Sequence, residues 1–320
     1  MKDFHIDPHV HCRDWSESYK STIKTVTEIA KSQDVAAIFD MPNTNPPIIS
    51  QDLVEKRIAT ALQQGCLEGY YLWIGITSKP KQINEVAKIA EENPRVVGIK
   101  MYAGRSVGDL AITNEEEQRI VYRELAKEKY QGVIAVHCEK ESFFKMDLWD
   151  PSKPCTWGLA RSPESEIESV RDQIKFAKEF SFEGTLHITH VTTPESVALV
   201  NEAKKDMKIT CAATPHHLLL SWNDMQNEGL QYKVNPPIRD VETAAALMNC
   251  LKNKKIDWIE TDHAPHTREE KFFPPHLSGI ESLKNYSQLI SILKKEISKK
   301  QIGDLTCNNI RKTFQKIFRG

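Results

Sequence analysis

Six residues able to bind a divalent metal stand at the ends of separate apolar runs: His9 with His11, then Lys100, His137, His190 and Asp262. The first pair sits in DPHVHCRD, Asp7 to Asp14. On an extended strand residues i and i+2 share a face, so both imidazoles can aim at one ion while Val10 packs on the other side. Lys100 lies in GIKMYAG, where a buried ammonium beside a metal is costly unless its charge changes. A neutral Lys100 amine that adds carbon dioxide becomes a carbamate, an anion able to bridge two divalent ions about 3.5 to 4 Å apart. Taken alone, the histidine pair also fits two packed imidazoles, and Lys100 also fits a rim lysine paired with a carboxylate. Asp262 in WIETDHAPH can ligate through one oxygen and accept a proton with the other. Together the six point to metal-dependent hydrolysis.

The other histidines carry less. His187 and His190 in TLHITHVTT are three apart on a strand, so they face opposite sides and at most one enters the interior; His190, nearer the carboxyl end, is the better ligand, and His187 is expected to pack under a helix or hydrogen-bond behind the site. His216 and His217 in CAATPHHLLL fall beyond a strand end as supports, and one of His263 and His266 can face a substrate. From spacing alone Asn43 in DMPNTNPP reads as a turn residue.

Elements that bring such distant residues to one mouth are legible in the chain. Short apolar or β-branched runs predict strands near 4 to 8, 35 to 41, 70 to 77, 96 to 102, 132 to 137, 184 to 191, 208 to 214 and 256 to 261. Between them lie helical segments with start signals: Ser50 before Gln51 to Gln64, Thr113 with Glu116 as a capping box, Ser162 before Pro163, and Thr193 before Pro194. Eight such units predict a (β/α)8 TIM barrel, one hydrolase domain over residues 1–320, whose ligands gather at the carboxyl ends of the strands. Longer excursions are expected at 139 to 161 and 215 to 239.

Composition narrows the class. Forty-three Lys and Arg against 44 Asp and Glu leave a net charge of -1, which gives no footprint for nucleic acid and favours a small-molecule substrate. Seven scattered cysteines, none in a CxxC pair, fit free thiols in a reducing compartment, and no apolar stretch is long enough for a membrane helix. A cytoplasmic protein with no membrane partner is expected.

The segments DPHVHCRD, MPNTNPP, GIKMYAG, VHCE, HITHVTT, TPHHL, VNPPIR, TDHAPH and SGIES resemble, in order from residue 7 to residue 281, the signatures of dihydroorotases within the amidohydrolase superfamily. The resemblance implies interconversion of N-carbamoyl-L-aspartate and L-dihydroorotate. It implies two divalent ions, zinc by expectation: His9, His11 and Asp262 would hold the first, and an N6-carboxylated Lys100 would bridge to a second held by His137 and His190. Asp262 would also move the proton. Arg13, Asn43 and His266 match positions that grip the substrate carboxylate, as suits a guanidinium fork. Asn235 in VNPPIR would contact the ring, and Ala103 to Thr113 takes the place of a mobile lid. Trp15-Ser16 stands where many relatives have Pro-Gly, which bears on the shape of the first loop. With the first strand beginning almost at Met1 and LTCNNIRKTFQKIFRG at the other end, a barrel without the small β-sandwich of many relatives is expected.

Two rivals are weighed. A hydantoinase or allantoinase would keep the metal residues and replace the carboxylate grip. A non-catalytic barrel partnering aspartate transcarbamoylase need not keep its ligands. A homodimer and an association with that transcarbamoylase stay open.

Overall fold

Eight parallel strands follow one another around the sheet in chain order: β1 (His5–Val10), β2 (Val35–Asp40), β3 (Tyr70–Gly75), β4 (Val96–Tyr102), β5 (Val133–His137), β6 (Thr185–Ile188), β7 (Ile209–Ala213) and β8 (Trp258–Ile259). The computed structural model describes residues 4–106 and 108–318; residues 1–3, Val107 within the expected lid, and residues 319–320 lie outside the described residues. Each expected strand is present, and the helices between them make a (β/α)8 barrel. Its last seam, between β8 and β1, is closed by side chains as much as by backbone. A parallel bridge joins Val10 to His263, and His11 N donates to His263 O at 2.8 Å. The Asp7 carboxylate accepts from Thr261 N at 3.0 Å and Thr261 Oγ1 at 2.5 Å.

Two apolar layers hold the barrel. Outside it, Val10, Ile38, Leu72, Ile99, Ile134 and Ile188 pack under the helices. Inside it, Ile6, Phe39, Trp73, Ala135, Ala212 and Trp258 fill the lower half together with Ile310 and Phe314. Phe314, just after the helix Asn309–Thr313, meets Phe39, Trp73 and Trp258 edge-on with centroids 5.1, 5.7 and 6.0 Å away. The barrel floor is therefore aromatic and apolar, and the proposed site residues gather at the opposite end.

Three of the four expected helix starts hold: Ser50, Ser162 and Thr193 are the N-caps, and Thr193 accepts from Ser196 N. The fourth moves by one residue. Asn114, not Thr113, caps Glu115–Lys127, its side chain accepting from the amides of Glu116 and Glu117. A short amide oxygen reaches two orphan N–H groups there, which outcompetes the threonine before it. Among the described residues no helix is long and apolar enough to cross a membrane. All seven cysteines are free.

Candidate metal centre and active site

Strand ends deliver the expected residues to the carboxyl face. His9 lies on β1 and His11 just beyond it; Lys100 is in β4, His137 ends β5, and His190 and Asp262 follow β6 and β8. His190 and Asp262 have φ of 37° and 48°, left-handed values that turn each side chain back over the barrel. This geometry overturns the parity argument for β6. The strand stops at Ile188, so His190 is no longer bound by alternation, and both it and His187 reach the interior.

His9, His11 and Asp262 offer donor atoms within 4.8 Å of one another, all buried. Asp262 Oδ1 lies 3.2 Å from His9 Nε2 and 3.0 Å from His11 Nε2. The far nitrogens are engaged: His9 Nδ1 is 3.1 Å from Glu260 Oε1, and His11 Nδ1 is 2.8 Å from Asn43 Oδ1. Those oxygens can only accept, so each Nδ1 carries the hydrogen and each Nε2 turns a lone pair toward Asp262. Three electron-rich atoms converging in this way suit a divalent cation. Ligands about 2.0 to 2.1 Å from a tetrahedral ion would stand about 3.3 Å apart, close to the observed spacing.

A second donor pair adjoins the first. His137 Nδ1 lies 3.2 Å from His190 Nε2, and the rings of His9 and His190 are 5.3 Å apart. Behind His137, Glu139 Oε2 is 3.0 Å from Nε2, in contact but not aligned as a hydrogen bond. Arg161 holds that carboxylate at both oxygens. Burial pushes the imidazoles of His9, His137 and His190 toward the neutral form that binds metals, His9 to about 4. Asp262 is buried as well, and burial opposes its charge, so a carboxylate facing two imidazole lone pairs calls for a cation between them.

Lys100 stands one layer behind the cavity wall, fully buried, donating to Thr189 Oγ1 at 3.2 Å; that hydroxyl in turn lies 3.0 Å from His190 Nε2. Burial lowers its ammonium from 10.5 to about 8, with Glu260 and Asp262 opposing. A sizeable neutral fraction near pH 7 to 8 is what addition of carbon dioxide requires.

Arg13, Asn43 and Asn235 line the same narrow cavity as His9, His11, His137, His190 and Asp262. His266 sits behind Arg13, its Nε2 accepting from Arg13 Nη2 at 3.0 Å. Trp157 Nε1, a donor only, is 3.0 Å from Asn235 Oδ1 and so fixes which way that amide turns. Ser106, from the stretch expected as a lid, reaches the wall, and Ile112 N donates to Tyr102 O at 2.8 Å, returning the end of that stretch to β4.

The first loop, where Pro-Gly is missing, takes its shape from other means. Arg13, Asp14 and Trp15 all have positive φ. The Asp14 carboxylate accepts from Ile23 N at 2.6 Å and from Gln64, while Arg57 Nη1 donates to Arg13 O at 2.9 Å.

Sequence reasoning missed Glu260, Glu139 and Tyr102. Each lies two positions from a residue that it did single out, Tyr102 within the same strand as Lys100 and the other two just past a strand end. That spacing was the available signal.

No protein-family model matches the chain. A dihydroorotase from Thermoanaerobacter sp. is 32% identical over 308 residues, 94% of this chain and 68% of that protein. The chain belongs to the dihydroorotase family. A second relative, the dihydroorotase of Aquifex aeolicus, is 31% identical over 309 residues, 91% of this chain and 69% of its own length. Among solved structures, L-hydantoinase (dihydropyrimidinase) from Arthrobacter aurescens superposes with a TM-score of 0.85 at 22% identity, over 97% of this chain and 70% of that one. At that identity the likeness carries the barrel and nothing finer. Family membership brings metal dependence, which the buried His/Asp group fits.

Proposed function

We propose that this chain, acting as one hydrolase domain, interconverts L-dihydroorotate and N-carbamoyl-L-aspartate. The observation that carries the reading is the convergence of His9, His11 and Asp262 on one point, beside His137 and His190 and in the same cavity as Arg13. His9, His11 and Asp262 would hold one divalent ion and His137 and His190 a second, with zinc the natural choice for imidazole and carboxylate donors. When bound, the ions would supply acidified water and a polarised carbonyl. Lys100 would join the two sites after its neutral Nζ bonds to the carbon of CO2 and loses a proton, leaving a carbamate anion.

The chain's own groups do the rest. Arg13 and Asn43, backed by His266, orient the substrate carboxylate so that the ring amide faces the ligand cluster. Asn235 meets the ring edge. As water oxygen bonds to the amide carbon, Asp262 takes the proton and returns it to the ring nitrogen when the C–N bond breaks. The products are a ureido group and a new carboxylate, whose formation releases the second water proton to solvent; ring closure takes that proton up and runs the same steps backwards. The test is an assay of dihydroorotate, hydantoin and allantoin side by side, with zinc and bicarbonate supplied. Turnover of dihydroorotate well above the other two is expected. Preference for hydantoin or allantoin would overturn the substrate assignment.

A further inference from the structure

We infer that Glu260 is a positioning residue shared by both halves of the metal centre, fixing the His9 imidazole through its ring N–H and the turn carrying His190 through its backbone N–H. The inference rests on the two-ion reading proposed above.

Glu260 is 1% exposed, inside a barrel whose neighbouring inner positions are Trp258, Ala212 and Ala135. A carboxylate there is costly unless its lone pairs are filled by donors. They are filled. Oε1 accepts from His9 Nδ1 at 3.1 Å and from His190 N at 2.8 Å. Oε2 accepts from His187 Nε2 at 3.1 Å and from Trp258 Nε1 at 3.4 Å.

His187 thereby gains a role. Its Nε2 must carry the hydrogen to meet Glu260, so its Nδ1 accepts from Thr210 Oγ1 at 3.0 Å. Its ring lies 4.3 Å from that of Trp258, 29° from parallel. Held from behind by these two aromatic groups, Glu260 has one oxygen left to spend on the centre, and that oxygen touches both halves at once. A carboxylate behind a ligating imidazole fixes its tautomer and raises its basicity. Here the same atom also pins the left-handed turn at His190, φ 37°, so the spacing between the two donor sets is set by one side chain. Glu139 differs, for it meets the imidazole of His137 alone among the proposed ligands.

The test compares native protein with Glu260→Gln and Glu139→Gln, measuring zinc retention at each site by chelator competition, the visible spectrum of the cobalt-loaded forms, and Tm. Glutamine keeps the shape but removes the charge behind both donor sets and turns one of the two accepting oxygens into an NH2 group, so the four N–H donors can no longer all be met. Glu260→Gln is expected to weaken both ions about 10- to 100-fold and to shift both cobalt environments, whereas Glu139→Gln weakens one. A Glu260→Gln protein that keeps both ions at native affinity, or loses only one, overturns the inference. So does a lower Tm with unchanged metal retention, the mark of a merely structural residue. If the variant does not fold, the 15N–1H imidazole spectrum of native protein decides. His9 protonated at Nδ1 is expected, and the opposite tautomer overturns the assignment. Native protein that binds no ion sinks the parent reading and this one with it; native protein that binds two, equally well held by Glu260→Gln, sinks this one alone.

Discussion

Arg13 is 2% exposed, and its guanidinium is fixed by Pro265 O at 3.2 Å and by His266 before any substrate arrives. A preorganised fork loses little entropy on meeting a planar anion. Arg13→Met should therefore lower kcat/KM for dihydroorotate about 100-fold, the worth of a charge-assisted pair of hydrogen bonds, with zinc content unchanged. Steady-state kinetics beside metal analysis checks this, and unaltered turnover would remove the carboxylate grip from the account. At this scale the six proposed ligand positions stood out because each closes an apolar run with a polar atom. Among the residues behind them only histidines were singled out. Yet each missed residue stands two from one that was singled out: Lys100 and Tyr102 lie within β4, where alternation places them on one face, whereas Glu260, Asp262 and Glu139 follow the ends of β8 and β5, where the spacing marks a neighbour without fixing its face. The opposite error touched His190: alternation was applied past Ile188, where the strand had ended, although His187 does take the expected place hydrogen-bonded behind the site.

Between elements, buried charge fixes the loops that carry the site. Asp40, at the end of β2, accepts from Arg57 Nε at 2.9 Å and Nη2 at 2.6 Å, from Tyr70 OH at 2.7 Å and from Cys12 N at 2.9 Å. One carboxylate thus ties the helix Gln51–Gln63 and β3 to the loop bearing Arg13. Arg57→Met would leave that charge buried and unpaired, a loss of about 3 to 5 kcal/mol by chemical denaturation. A loss under about 1 kcal/mol would show that Asp40 is satisfied without it.

The later loops are clamped differently. Lys233 donates to His276 O at 2.7 Å and Ser278 Oγ at 2.9 Å, and Lys271 Nζ donates to Lys233 O at 3.1 Å. Burial lowers both ammonium groups from 10.5 to about 7, helped at Lys233 by Arg161 and Lys271. Between those values the unfolded chain holds protons that the folded chain has released. Stability should rise as pH climbs from 7 toward 10 and fall away as pH drops back to 7. Thermal melts of native protein and Lys271→Met across pH 7 to 9 check the sign. The native Tm should climb more steeply, and parallel curves would contradict the shift at Lys271.

Across the whole molecule, apolar floor and polar mouth divide the labour. Phe314 closes the floor against Phe39, Trp73 and Trp258, far from any proposed ligand in the layering of the barrel. Phe314→Ala should cost about 3 to 5 kcal/mol of stability while leaving metal content at 25 °C unchanged; loss of the ions in a still-folded variant would mean that floor and mouth are coupled. The plug was not readable beforehand, since nothing local in KTFQKIF says that it meets strands more than 50 residues away. The barrel itself was readable, because strands buried on both faces appear as short continuous apolar runs. Even β8, two residues long by its ladder, was marked by the polar residues after it.

A two-ion centre at the barrel mouth is what every proposed step requires. Elemental analysis of native protein, purified after growth in metal-replete medium and set beside His11→Ala and His137→Ala, tests it most directly. Two divalent ions per native chain, with one lost or weakened in each variant, is the result expected. Native protein that carries no divalent ion would contradict the claim.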